Sequence, residues 1–203
     1  MKKLLLHVCC GPCAIYVAQK LSEDYQVTLF FYNPNIYPEA EYQKRLTEVK
    51  RWVYKEGFEL IEGQFNQDYW LEKVKGLENE PEGGRRCSVC YQMRLEESAR
   101  YAKENGFDCL ATTLTIGRNK KADVINPLGV KVALKFGLKF IEEDWKKKGG
   151  QEEACRLSKE EDMYRQDYCG CEFSVEDRLV LRLVLRNESG GGSPKDEGGR
   201  SKI

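Results

Sequence analysis

Leu4-Leu5-Leu6-His7-Val8-Cys9-Cys10-Gly11-Pro12-Cys13 is the stretch that decides the fold. Its first five residues read as a short buried strand, and Gly11-Pro12 opens a helix over 14–21. A strand that runs directly into a helix is the first half of a βαβ unit.

Working outward, Val27-Thr28-Leu29-Phe30-Phe31-Tyr32 is a second strand, rich in branched and aromatic residues. Asn33-Pro34-Asn35 ends it. A charged amphipathic helix over 39–55 follows, closed by Gly57. Residues 58–61 predict a third strand and 88–105 a helix stopped by Gly106. Residues 107–116 predict a fourth strand and 138–141 a fifth. Strands alternating with helices imply an α/β fold: a mostly parallel sheet with helices on both faces. Residues 1–186 read as a single catalytic α/β domain. Within it, residues 175–186 predict a closing helix with Arg178, Arg182 and Arg186 on one stripe, read as a solvated face. Residues 187–203 are Gly-, Ser- and charge-rich and predict a disordered tail.

Composition limits the function. Lys plus Arg is 33 and Asp plus Glu is 33, so bulk charge does not announce a nucleic-acid partner, although a local basic patch remains open. No apolar run approaches the roughly 18 residues of a membrane span. The leucines at 4–6 are too few for a signal core of about 7–15 residues. The expectation is a cytoplasmic protein with reduced thiols and no membrane partner. Nine cysteines then stand against one histidine. In a reducing compartment such thiols suggest metal binding or redox chemistry rather than structural bridges.

The cysteines form three clusters. Cys9, Cys10 and Cys13 sit at a strand-to-helix turn, where a helix N-terminus favours thiolate. Cys87-Ser88-Val89-Cys90 opens a helix, and a C-x-x-C turn points both sulfurs at one place. Cys169-Gly170-Cys171 places two sulfurs on the same side of an extended segment. Dense thiols suit zinc or iron–sulfur. Four ligands close a zinc site, so six or seven clustered cysteines imply two metal sites, or an iron–sulfur cluster with thiols to spare. Cys13 is open at this stage: a ligand, a redox partner of Cys10, or packing. Cys109 reads as a small buried hydrophobe, and Cys155 carries no assigned chemistry.

Ligands of an open α/β sheet bind beyond the carboxyl ends of its strands. Asn33, Thr112, Thr113 and Asp144 fall at those ends together with the first cysteine cluster. A nucleotide site would need a Gly- and Ser-rich phosphate cradle after strand one. That turn holds one Gly, one Pro and three Cys, which argues against ATP.

Five motifs occur in order: residues 6–13, Phe31-Tyr32-Asn33-Pro34-Asn35-Ile36-Tyr37-Pro38, residues 87–95, Thr112-Thr113-Leu114-Thr115-Ile116, and residues 163–174. Together they resemble the epoxyqueuosine reductases of the non-cobalamin type, the QueH family, from about residue 3 to 180. Ile116-Gly117-Arg118 departs from the Ser-Pro usual after that isoleucine, which bears on the local loop alone. The resemblance implies a PP-loop-like sheet with a cysteine-rich metal site at its carboxyl end. It implies the last step of queuosine synthesis: two-electron removal of the epoxide of epoxyqueuosine at the tRNA wobble position. It implies a 4Fe-4S cluster and a neighbouring single iron, with ligation carried onto Cys9, Cys10, Cys87, Cys90, Cys169 and Cys171. Such an iron would act as a Lewis acid on the epoxide oxygen, and the cluster would feed in electrons.

Asp144 is the candidate catalytic carboxylate, as oxygen ligand or proton donor, with a strand-end helix cap as its bland alternative; Tyr164 and Tyr168 are further donors. The expected partners are tRNA carrying epoxyqueuosine and an electron donor of unknown identity. Asn33, Thr113, Arg118, Lys120 and Lys147 are the substrate-binding candidates, the last three as phosphate contacts. The competing readings are an ATP-dependent tRNA thiolation enzyme on the same sheet, and a zinc or thiol-redox protein.

Overall fold

Seven consecutive extended residues, Lys2–Val8, form strand β1 at the centre of a five-stranded sheet. The computed structural model describes residues 1–175. The remaining strands are β2 (Tyr25–Phe31), β3 (Glu59–Glu62), β4 (Cys109–Thr112) and β5 (Lys139–Phe140). Their order across the sheet is β3-β2-β1-β4-β5, and every pairing is parallel. The chain winds outward from β1 in one direction and then returns to its other side. The switch point therefore lies between β1 and β4, and ligands of open α/β sheets bind outside the strand ends at such a point.

Helices α1 (Gly11–Ser22), α2 (Glu39–Glu56), α3 (Gln67–Val74), α4 (Arg85–Glu104), α5 (Ala122–Lys135) and α6 (Gly150–Glu160) complete the described elements. Side chains alternate across β1 and separate two cores. Leu4, Leu6 and Val8 face α1, α2 and α6 through Ala14, Leu46, Val49, Trp52 and Ala154. Leu5 faces α4 and α5 through Leu95, Ala99, Val132 and Ala133. The α/β sheet covered on both faces is therefore observed. No helix among the described residues is long and apolar enough to cross a membrane.

The fourth strand is shorter than its apolar run suggests. It stops at Thr112, and Leu114–Ile116 forms a 3₁₀ turn. The Thr112 hydroxyl accepts the Leu114 N–H at 3.2 Å, so a local side-chain bond replaces the ladder. Helices α3 and α5 are additions to the sequence reading. Pro127 and Gly129 speak against a helix at α5. Gly129 is there for packing: a Cβ added to it would lie 2.2 Å from the Phe140 ring, so only glycine lets α5 lie on β5. The expected closing helix is described only as far as Val175; the rest of it and the tail at 187–203 lie outside the described residues.

Candidate metal centre

Pro12 in the first turn of α1 and Cys10 at its N-cap place three thiols at one point. The sulfurs of Cys9, Cys10 and Cys13 all lie within 4.8 Å of one another, the one such group of possible metal ligands among the described residues. Cys9 and Cys10 Sγ are 3.9 Å apart. Hydrogen bonds from Cys10 and Cys13 pull the Cys9 thiol well below its ordinary range, with Arg94 and His7 adding to the effect. Cys13 moves well above it, because it bonds to Cys10 and Cys9 and is buried. Cys10 is likewise raised, to about 12, so thiolate character concentrates on Cys9 while Cys10 and Cys13 stay protonated as its donors. Cys13, left open by the sequence, belongs with Cys9 and Cys10.

The other four thiols approach from α4 and the closing segment. Cys87 and Cys90 stand on the first turns of α4. Cys87 Sγ accepts the Gly83 N–H at 3.2 Å. Cys90 and Cys171 pack together with Trp70, Val74 and Met93. Burial raises Cys90, while Arg94 opposes the rise. Burial and then Cys169 push Cys171 up to about 11. These four neighbour one another without converging as tightly as the first three.

Two buried arginines join the groups, and sequence reasoning missed both. Arg94 of α4 is 3 % exposed, and Cys90, Cys9 and Cys169 all strengthen its charge against the cost of burial. Its Nη2 donates to Asn33 Oδ1 at 2.5 Å, and Asn33 Nδ2 donates to the Val8 carbonyl at 2.9 Å. Asn33, a substrate candidate, is 1 % exposed, and its amide oxygen holds Arg94 in place. Arg45 of α2, 2 % exposed, faces Cys10 and Cys9 and donates to the Cys169 carbonyl at 3.1 Å.

His7 lies beneath the thiols, fully buried. Its Nε2 must donate to the Tyr32 carbonyl at 3.2 Å, so Nδ1 accepts from the Thr112 hydroxyl at 3.0 Å. Burial and the Arg94 charge hold its pKa down to about 3. Thr113 is also fully buried, and its hydroxyl finds no partner among the described residues.

A cavity of about 1050 Å³ opens beside the site at the β4–β5 edge. Arg118, Lys121, Lys146, Lys147 and Lys148 line it, with Asp144 among them. Arg118 and Lys147, two of the substrate-binding candidates, are exposed there. Lys120 behaves differently. It turns inward, and its Nζ lies 2.8 Å from Cys169 Sγ. Burial alone would lower this amine, but Cys169 and Tyr91 outweigh it and hold it well above its usual range. Asp144 sits in a turn, 3.7 Å from Lys146 Nζ and 3.9 Å from Lys147 Nζ, and the backbone N–H of Lys147 donates to its carbonyl. The Tyr164 hydroxyl donates to Glu41 at 2.9 Å, and the Tyr168 hydroxyl donates to the Tyr37 carbonyl.

The chain matches the family "Epoxyqueuosine reductase QueH" over residues 4–177. It belongs to that family. The epoxyqueuosine reductase QueH of Acinetobacter baylyi is 42% identical over 185 residues, covering 89% of this chain and 84% of its own. The same-named protein of Thermotoga maritima is 34% identical, covering 94% of this chain and 99% of its own. Among solved structures, the U34-tRNA thiolase NcsA of Methanococcus maripaludis, described with its 4Fe-4S cluster, superposes with a TM-score of 0.54. That superposition covers 93% of this chain and 68% of the thiolase at 17% identity, a likeness of fold.

The QueH chain's donor set suits a soft metal. It offers thiols alone at the centre, a Cys9 sulfur already biased to thiolate, and arginines buried beside it.

Proposed function

We infer that this protein is an epoxyqueuosine reductase acting on tRNA. The observation that carries the reading is the convergence of Cys9, Cys10 and Cys13 at the β1–α1 turn of a QueH-family chain. The reaction removes the epoxide oxygen of epoxyqueuosine at the wobble position. Two electrons and two protons enter, an alkene forms and water leaves. The family match favours this over ATP-dependent thiolation, and the turn after β1 has cysteines and a proline where a phosphate cradle would sit.

We propose that Cys9, Cys10 and Cys13 hold one part of an iron–sulfur centre, and that Cys87, Cys90, Cys169 and Cys171 supply its remaining ligands. A 4Fe-4S cluster and a neighbouring iron bound there would supply electrons singly, from a donor outside the chain, and a Lewis acid. The chain's own groups do the rest. Arg94 and Arg45 balance the charge of the thiolates in a site of low dielectric. Lys120 fixes Cys169 by a charge-assisted bond. The cavity wall, through Arg118, Lys121, Lys147 and Lys148, binds phosphates of the anticodon loop in the cytoplasm where tRNA resides. Asp144, on the same wall, is the proposed carboxylate for proton delivery.

The test is nucleoside analysis of tRNA after anaerobic incubation with iron-loaded protein and a chemical reductant. Epoxyqueuosine should convert to queuosine. Its persistence with iron and sulfide bound would overturn the activity. A protein that takes up zinc and no iron would overturn the cofactor.

A further inference from the structure

The turn from Tyr168 to Gly170, which carries Cys169 and leads into Cys171, is held by its backbone carbonyls, and one side chain takes two of them. Arg45 Nη1 donates to the Cys169 carbonyl at 3.1 Å and Nη2 to the Tyr168 carbonyl at 3.3 Å. The third carbonyl, of Gly170, accepts the Tyr37 N–H at 2.7 Å. Arg45 Nε donates to Glu41 Oε1 at 2.7 Å, and the other oxygen of Glu41 accepts the Tyr164 hydroxyl at 2.9 Å. The guanidinium also lies 5.2 Å from the centre of the Tyr168 ring. Gly170 adopts φ +130, and a Cβ added there would lie 3.1 Å from Arg45 Nη1 and 3.2 Å from Ile36 Cγ1. The turn is therefore pressed against the guanidinium, with no room for a side chain between them.

A buried arginine with one carboxylate partner is costly to the fold, and a planar fork aimed at two successive carbonyls is a geometry lysine does not reproduce. Cys171, the far end of the segment, packs with Cys90. The Arg45 charge also interacts with Cys10 and Cys9.

We propose that Arg45 is a positioning residue that sets Cys169 and Cys171 against Cys90, with Glu41 and Tyr164 aligning its guanidinium. Its value for the reaction rests on the reading of these thiols as metal ligands. Its positioning action does not, and is measurable in metal-free protein.

The experiment follows alkylation of each cysteine by iodoacetamide in reduced, metal-free full-length protein, read by mass spectrometry. Arg45→Lys keeps the charge and loses the fork. Cys171 should then react at least tenfold faster while Cys109 stays at its original rate. Glu41→Gln should raise Cys171 reactivity by a smaller factor, and Tyr164→Phe by about twofold. On iron reconstitution, Arg45→Lys should bind less iron per chain than wild type and show a visible and EPR spectrum that differs from the wild-type spectrum. A Cys171 rate unchanged in Arg45→Lys overturns the proposal, as does an equal rise at Cys109, which would signify general loosening. If Arg45→Lys does not fold, Glu41→Gln and Tyr164→Phe decide by the same selective comparison. Selective Cys171 exposure in a protein that binds no iron would retain the positioning action and refute the metal reading. Bound iron with no selective exposure would do the reverse.

Discussion

Replacing Lys147 and Lys148 together by alanine tests whether tRNA phosphates lie on the cavity wall. Both residues are exposed and line the cavity with Arg118 and Lys121. Folding should scarcely notice the change. The Lys147–Asp144 approach is 3.9 Å with the lysine 78% exposed, and such pairs contribute little. Binding should notice it strongly. Each phosphate neutralised on a single-stranded segment contributes roughly 0.7 to the slope of log K against log salt. Two lost contacts should flatten the slope by about 1.4. If the two affinity lines meet near 1 M salt, that is about a 25-fold weaker complex at roughly 0.1 M. Fluorescence anisotropy with epoxyqueuosine-bearing tRNA across a salt series reads both numbers, and Lys147→Arg with Lys148→Arg should restore them. An unchanged slope in the alanine variant would place the phosphates elsewhere. Lys120 provides an internal contrast. Its amine is engaged with Cys169 at 2.8 Å, so its removal should disturb the metal centre before it disturbs the slope.

His7 should make the metal-free protein sensitive to acid. Burial first, then Arg94, hold its folded pKa near 3 against 6.5 for a free histidine, so below pH 6.5 the unfolded chain binds a proton that the folded chain refuses. This stability is whole above pH 6.5 and falls by about 1.4 kcal/mol per unit, roughly 2 kcal/mol by pH 5. Urea unfolding at pH 7 and 5 should show that loss in wild type and its absence in His7→Gln; identical losses would refute the assignment. Asn33→Ala removes the amide that accepts from Arg94 and donates to Val8, and should cost about 1–3 kcal/mol on denaturant unfolding. Cys13→Ser should lower iron and sulfide content after reconstitution, whereas Cys109→Ala and Cys155→Ser should leave both unchanged; equal content in all three would remove Cys13 from the centre.

The sheet was legible because β1 and β2 are dominated by Leu4-Leu5-Leu6 and by Val27 with Leu29-Phe30-Phe31, and parallel strands buried on both faces have that near-continuous apolar signature. The helix between β4 and β5 was not, because Pro127 and Gly129 weaken its local propensity while the Phe140 ring supplies the tertiary reason for the glycine. The thiol clusters stood out by spacing. Their grouping did not: whether Cys13 joins Cys9 and Cys10 depends on the direction in which α1 leaves the strand, and only the fold sets that. Lys120 shows the same limit. In a basic run it reads as one more solvated charge, yet the turn after the 3₁₀ segment sends it inward to Cys169 while Arg118 and Lys121 stay exposed.

The buried arginines did leave a signal, and it lies in periodicity rather than composition. Arg45 falls three residues after Tyr42 and four before Val49, on the apolar face that also carries Leu46, Trp52 and Val53. Arg94 falls seven after Cys87 and four after Cys90, on the face that carries Tyr91, Leu95 and Ser98. A charged residue on the inward stripe of an amphipathic helix is either an error of register or the partner of something buried. Here the partners are identifiable. Cys9 is drawn toward thiolate at the end of the sheet, and exposed lysines screened by salt would stabilise that buried charge weakly. A guanidinium keeps its charge when buried and offers five donors. Arg94 faces Cys9, Cys90 and Cys169, and Arg45 faces Cys9 and Cys10 while gripping the Cys169 backbone. The zero net charge of the whole chain therefore conceals a local balance. Two inward-facing arginines supply fixed positive charge where the seven clustered cysteines gather, and the outward-facing basic residues are left for the cavity wall.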